Sequence, residues 1–339
     1  MYTASATSTD SPSAWTRKRK QHRSGVVRAM LRNHDEIPHS ALASFARPHT
    51  IIGTIVSVCS VTTMAWHFGG VLDLCSVAVV SAQTVQTVLA SVLMNVAIVG
   101  INQLYDKKLD RVNKPYLPLA SGAFTSDTAL TVVALCTTSS LVLGMMSGSS
   151  ALLWALVLSL ILGIVYSVDY PGLRWKRSPL LAAGCILIVR AFIVQLGFFA
   201  HALGTGLLGF QAPFTLMFAM SFITVYAIVI ALMKDLPDIA GDKQHDIRTL
   251  SVRWGANTMF NVCVALLSIG YVSAAVLSFV YNSTLISQIV GICHCAVLSM
   301  LVFSASRVDT SSSASLYSFY MRTWKAFYFE YLLLPFICL

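Results

Sequence analysis

The chain has 339 residues, of which 56% are hydrophobic and only 11% charged; soluble domains carry roughly 25% charged residues, so an ordinary water-soluble fold is excluded. Its net charge of +9 does not indicate nucleic acid, because the basic residues sit in a tail and in short loops between oily runs. The eight cysteines are scattered through apolar runs without paired spacing, Cys293 and Cys295 around His294 included, and read as small hydrophobes.

In chain order, the opening "MYTASATSTDSPSAWTRKRKQHR" is Ser/Thr-rich and basic without an apolar core, which is not the pattern of a secretory signal. Residues 1–44 are expected to form a disordered cytosolic tail and residues 45–339 a transmembrane domain. A membrane-crossing helix needs about 20 mostly apolar residues. Nine such runs follow, at 49–68, 74–103, 127–146, 150–168, 179–203, 213–234, 258–281, 284–304 and 317–338. The second and fifth are long enough to tilt or to project beyond the lipid.

Lys and Arg concentrate in cytosolic loops. Eight of the 23 basic residues precede residue 48, and the rest except Arg190 cluster in the loops after the second, fourth and sixth runs or on the side between the eighth and ninth, where Arg307, Arg322 and Lys325 lie. The intervening loops "HFGGVLD", "MSGSS", "GTGLLGFQ" and "YNST" hold none. This alternation requires nine spans and places the N-terminus and every even-numbered loop on one side. The "NST" glycosylation pattern at 282–284 falls on the opposite side, next to the membrane.

Two acidic clusters end the second and sixth runs. Asn102, Asp106 and Asp110 are spaced i, i+4, i+8, which puts them on one helical face; Pro115 and Pro118 then stop the helix. Asp235, Asp238 and Asp242 are spaced i, i+3, i+7, also one helical face, with Pro237 predicting a kink or a fresh helix start. Together with Asp246, the clusters hold six of the 14 acidic residues. Carboxylates facing one another would repel and take up protons. Mg²⁺ removes that repulsion and binds through one or two carboxylates plus phosphate oxygens, so two such clusters flanked by lysines suit a metal-bound diphosphate.

"NQLYDKKLD" (102–110) and "KDLPDIAGD" (234–242) resemble the paired aspartate-rich motifs of the UbiA superfamily of intramembrane prenyltransferases. "NQLYDKKLDRVNKPYLPLASG", "FARPHTIIGT", "YSVDYPGLRWKRSPLLAAGCILIVRAFIVQLGFFAH" and "DIRTLSVRWG" resemble its homogentisate prenyltransferase branch. The resemblance runs from about residue 43 to the C-terminus. It implies an all-α integral membrane fold, nine transmembrane helices around a central cavity capped by the two Asp-rich segments. Asp169, where relatives are generally apolar, and Ala240, where they often carry Glu, depart from the pattern near the cap.

The resemblance further implies Mg²⁺-dependent transfer of a farnesyl- or geranylgeranyl-class prenyl group from its diphosphate to a small phenolic acceptor, such as a homogentisate- or orsellinate-like acid. Asp106, Asp110, Asp235, Asp238 and Asp242 would hold the metal. Asn102, Lys114, Arg174, Lys176 and Lys234 would contact the diphosphate, and Tyr166 would line the pocket near the reacting carbon. Arg190 stands alone in "CILIVRAFIVQL", where a charge costs at least ~2.5–3.5 kcal/mol on insertion scales and by default faces a cavity or a partner. It contacts substrate (the diphosphate or an acidic acceptor ring), pairs with a structural partner such as Glu330, or snorkels toward an interface. Gln195, His201 and Asn95 read as interhelical polar groups.

A membrane terpene cyclase, closing the cation on itself without an acceptor, is the alternative enzyme; a transporter for an anionic solute is the alternative from another class. The expected partners are a prenyl diphosphate, a phenolic small molecule and membrane lipid, with no nucleic acid and no obligate protein. The expected compartment is the endoplasmic reticulum membrane with the site facing the cytosol, ahead of a plastid or mitochondrial membrane.

Overall fold

In lipid every backbone N–H and C=O must be satisfied internally, which leaves helices or closed barrels as spanning structures. The computed structural model describes residues 41–70, 74–206, 211–244, 249–281 and 284–337, with the side chains of 74–81 and 281 excepted. It is helical, with no strand among the described residues. The expected tail lies outside them except for Ala41–Ser44, which open a short helix Ala41–Ala46. Asp246 and the Asn282 acceptor also lie outside the described residues.

The long helices are α1 (Pro48–Gly69), α2 (Leu74–Asn113), α3 (Ser126–Met146), α4 (Ser150–Ser167), α5 (Pro179–Ala202), α6 (Phe214–Met233), α7 (Ala256–Tyr281), α8 (Leu285–Ala305) and α9 (Ser313–Leu333). Their starts follow local chemistry. Proline opens α1 and α5, where its missing N–H costs nothing. The side chains of Thr125, Ser149, Thr284 and Ser312 accept a backbone N–H at the starts of α3, α4, α8 and α9, which stabilises each end.

Eight of these helices are long and apolar enough to cross a bilayer. The ninth expected run is α9, whose 21 residues reach roughly 31 Å at ~1.5 Å per residue. Arg322, Lys325 and Glu330 lower its hydropathy, yet Phe319, Trp324, Phe327, Glu330 and Tyr331 are all buried in the bundle. The 40 residues of α2 extend roughly 60 Å, about twice the hydrocarbon thickness, so its last turns carry Asp106 and Asp110 beyond the lipid-facing stretch.

The helices pack in sequence, and α9 returns against both α1 and α6, closing the bundle. Small residues allow the close crossings: a Cβ on Gly100 would lie 2.5 Å from Val133 and 2.7 Å from Phe45. Leu180, Val280, Met146 and Leu285 point outward, each more than 70% exposed, an apolar surface that lipid rather than water accommodates. Inside, polar groups pair across helices. His201 meets Thr87 Oγ1 at 2.9 Å, Asn95 donates to Thr50 Oγ1 at 2.9 Å, and Gln195 donates to Tyr331 Oη at 2.8 Å. All three were expected as interhelical polar groups.

Two sequence expectations are corrected. Asp235, Asp238 and Asp242 do not share one helical face: α6 ends at Met233, residues 234–238 form turns, and a new helix runs Ile239–Gln244. Pro237 has no N–H to continue the ladder and disfavours a helical Leu236, so only Asp242 is helical. Arg190 does not pair with Glu330, which instead binds His294 Nε2 at 2.9 Å with both side chains fully buried. That contact also explains the mid-span His294 without a metal.

Candidate active site

The site is built at the end of α2. Asn102, Asp106 and Asp110 line one face of an unbroken helix, and Asp106 and Asp110 are both buried. Lys114 N–H closes the last turn on the Asp110 carbonyl at 2.7 Å, after which Pro115 forbids another. Asn102 Nδ2 donates to Ser167 Oγ at 3.4 Å, linking α2 to the end of α4.

The two acidic segments meet. The Lys114 ammonium pairs with Asp238, and Asn113 Nδ2 donates to Asp242 Oδ1 at 3.4 Å. Gly241 leaves room for the Asn113 amide at this junction, because a Cβ there would lie 1.6 Å from Asn113 Oδ1.

The segment between α4 and α5 supplies cations. Arg174 sits at φ 59°, a left-handed conformation costing a non-glycine residue roughly 1–2 kcal/mol. Its guanidinium lies 3.5 Å from Asp106 Oδ1 and 3.4 Å from Asp169 Oδ2, and Lys176 also pairs with Asp106. Asp169, the departure noted in the sequence, holds Arg174 and Arg177 at the rim. Ala240 is exposed, so the carboxylate missing there leaves no buried gap. From α6, Lys234 Nζ donates to Tyr166 Oη at 2.9 Å and lies 3.1 Å from Asp235 Oδ1.

Sequence reasoning missed Arg47. It takes φ 52° immediately before Pro48, and its charge reaches Asp110, Lys114 and Tyr116. Arg47 and Arg174 are the non-glycine residues with positive φ among the described residues, and both face the acidic cluster. Strain of this kind concentrates at functional sites; the Arg-Pro pair before the first span was the available signal.

Burial and charge oppose one another across the cap. Burial depresses the Lys114 ammonium, but Asp238 and Asp110 outweigh it and hold the group above its ordinary value. Burial likewise acts against Lys234, and Asp235 and Tyr166 overcome it. For Lys176 burial wins over Asp106, and the group is lowered. Burial raises Asp235 despite Lys234, and burial, then Asp238 and Asp235, raise Asp242 to about 7.

Among the described residues no three His, Cys, Asp or Glu side chains converge as a ready metal cage; lysines lie against Asp106, Asp235 and Asp238 instead. The donor set nevertheless fits a hard cation that keeps waters and shares a diphosphate. It is all oxygen, and Asp110 Oδ2 is buried without a hydrogen-bond partner. Of the residues expected from sequence, the five aspartates, Lys114, Arg174, Lys176, Lys234 and Tyr166 form one cap, with Asn102 beside it. Arg190 stands apart, midway along α5.

The UbiA prenyltransferase family profile matches residues 55–326. Homogentisate phytyltransferase 1, chloroplastic, of Arabidopsis thaliana is 43% identical over 309 residues, covering 88% of this chain and 75% of that one. Homogentisate geranylgeranyltransferase of Triticum aestivum is 40% identical over 299 residues, covering 88% and 72%. In fold the chain is similar to a UbiA homolog from Archaeoglobus fulgidus bound to GPP and Mg²⁺, with a TM-score of 0.58, 18% identity, and coverage of 86% of this chain and 99% of that one. An all-helical multi-pass bundle, whose α2 and α6 bring their acid-rich ends together, thus belongs to the UbiA prenyltransferase family and is a membrane prenyltransferase.

Proposed function

We propose that the enzyme transfers a farnesyl- or geranylgeranyl-class prenyl group from its diphosphate, held with Mg²⁺, to the ring of a small phenolic acid of homogentisate or orsellinate type. The observation that carries this reading is the junction of the two acidic segments through Lys114–Asp238 and Asn113–Asp242, with Lys176, Arg174 and Lys234 beside it. Two relatives named for homogentisate and a long prenyl group favour an aromatic acceptor over internal cyclisation.

Asp106, Asp110, Asp235, Asp238 and Asp242 would hold the metal, with Asn102 as a further oxygen donor. When bound, Mg²⁺ supplies Lewis-acid charge to the diphosphate oxygens. The chain's own cations do the rest. Lys114, Lys176, Lys234 and Arg174 stabilise the charge that grows on the leaving diphosphate as its C–O bond breaks, and they are already fixed in place by carboxylates. Tyr166, tethered through Lys234, presents an aromatic face to the allylic cation. A new C–C bond then forms to the phenolic ring, which loses one proton.

Product mass spectrometry on membranes given prenyl diphosphates, Mg²⁺ and a phenol panel tests this directly. Asp238→Ala should abolish both product and diphosphate release; unchanged diphosphate release would refute the assignment of the cap. A second expectation concerns Asp242. Burial, then the neighbouring Asp238 and Asp235, lift its carboxyl to about 7, above the ordinary carboxylate range, so its ionisation destabilises the native state as pH rises toward and through that value. Mg²⁺ should therefore raise the melting temperature of the detergent-solubilised protein more at pH 8 than at pH 6, and an equal rise at both would count against this donor set.

For the compartment, the Arabidopsis relative named as chloroplastic favours a plastid membrane over the endoplasmic reticulum. Imaging of the full chain fused to a fluorescent protein decides between them.

A further inference from the structure

Arg190 is a half-buried cation in the middle of a membrane helix, eleven residues and so roughly 16 Å beyond the Pro179 start of α5. No carboxylate among the described residues pairs with it, because Glu330 is taken by His294. Its guanidinium instead lies 4.9 Å from the Trp324 ring centroid and 5.8 Å from that of Phe327, both on α9. The other groups within its electrostatic reach are the neutral phenols Tyr320, Tyr328 and Tyr331. A guanidinium stacked on rings keeps its in-plane N–H fork free for a bidentate anion.

The backbone is built to present this side chain. α5 passes through a π-helical segment at Ile188–Ile193, in which Val194 N–H bonds to the Val189 carbonyl; such bulges recur at functional sites. The fully buried Gln195 donates to the Arg190 carbonyl at 3.1 Å and to Tyr331 Oη at 2.8 Å. It thereby satisfies the disturbed turn and ties it to α9.

The position relative to the cap is defined by Tyr320, one turn before Trp324 on α9 and within electrostatic reach of Arg47, Arg190 and Lys234. Arg190 is thus one tyrosine removed from the lysine placed on the diphosphate, but deeper in the bundle. The diphosphate already has four cations at the cap, and the prenyl chain carries no charge. The anion left for Arg190 is on the acceptor.

We propose that Arg190 binds the carboxylate of the aromatic acceptor and sets the enzyme's preference for phenolic acids over neutral phenols. This rests on the reading of the chain as an aromatic prenyltransferase. Held by its carboxylate against Arg190, the ring is oriented toward the cap, where the prenyl carbon lies.

Calorimetric binding to the purified full chain, with Mg²⁺ and inorganic diphosphate present, tests the proposal using 4-hydroxyphenylacetate and 4-methylphenol, which share a ring and differ in the carboxylate. Wild type should prefer the acid. Arg190→Gln should weaken acid binding on the order of 10- to 100-fold, the loss of a charge-assisted pair, and leave 4-methylphenol and the prenyl diphosphate KM unchanged. If Arg190→Gln does not fold, Arg190→Lys serves: a point charge without the fork, it should lose part of the acid affinity and none of the neutral phenol's. The proposal is overturned if wild type binds both ligands alike, if the variant loses both equally, or if the prenyl diphosphate KM rises instead. Acid binding through Arg190 without any prenylated phenol would sustain the subsite and overturn the proposed reaction.

Discussion

Gly241→Ala is expected to slow prenyl transfer by on the order of ten- to a hundredfold without unfolding the bundle, the scale of loss that a misplacement of about 1 Å produces. The added methyl would lie 1.6 Å from Asn113 Oδ1 and 2.6 Å from its Cγ, so the whole amide must swing aside. Swinging abandons the bond to Asp242, one of the two contacts that join the end of α2 to the second acidic segment. Because the junction lies at the cap, the helical content and melting temperature should stay near wild type. Asn113→Gly combined with Gly241→Ala removes the collision and should restore part of the rate. A single variant with wild-type turnover would show that the two acidic segments need no fixed spacing.

Asp106→Asn is expected to cost stability as well as activity. Asp106 is the anion for both Lys176 and Arg174, whose side chains are only 10% and 13% exposed. Breaking a buried pair from one side leaves an uncompensated charge, a loss of about 3–5 kcal/mol. Burial already lowers the Lys176 ammonium, so without Asp106 it can shed its proton, and the deficit should shrink as pH is raised from 7 to 9. Adding Lys176→Met to Asp106→Asn should recover much of the melting temperature and none of the turnover. If stability and turnover recovered together, Asp106 would be structural and no part of the diphosphate site.

The features legible in the sequence were those with strong local causes. Apolar runs separated by alternately basic and non-basic loops gave the long helices to within about five residues, except that α2 continues ten residues past its run to Asn113, since lipid tolerates little else. The i, i+4, i+8 spacing of Asn102, Asp106 and Asp110 survived because nothing in that stretch breaks a helix. The matching claim for Asp235, Asp238 and Asp242 failed at Pro237, where spacing alone gave the wrong geometry although the proline was noted. Partner choice was not legible either. His294 and Glu330 lie 36 positions apart, and only packing of α8 on α9 brings them together, which released Arg190 for another role. Arg47 escaped notice because its importance comes from a backbone conformation, a property no periodicity records.

Five carboxylates (Asp106, Asp110, Asp235, Asp238 and Asp242) stand among five cations, Arg47, Lys114, Arg174, Lys176 and Lys234, so the vestibule is close to electroneutral before any substrate arrives. On the proposed function, a metal-bound prenyl diphosphate would enter by exchanging counterions, the aspartates holding the metal and the lysines the phosphate, so that the helix ends would not confront bare like charges. The same exchange run backward would let spent diphosphate depart, each lysine returning to the aspartate it pairs with in this structure.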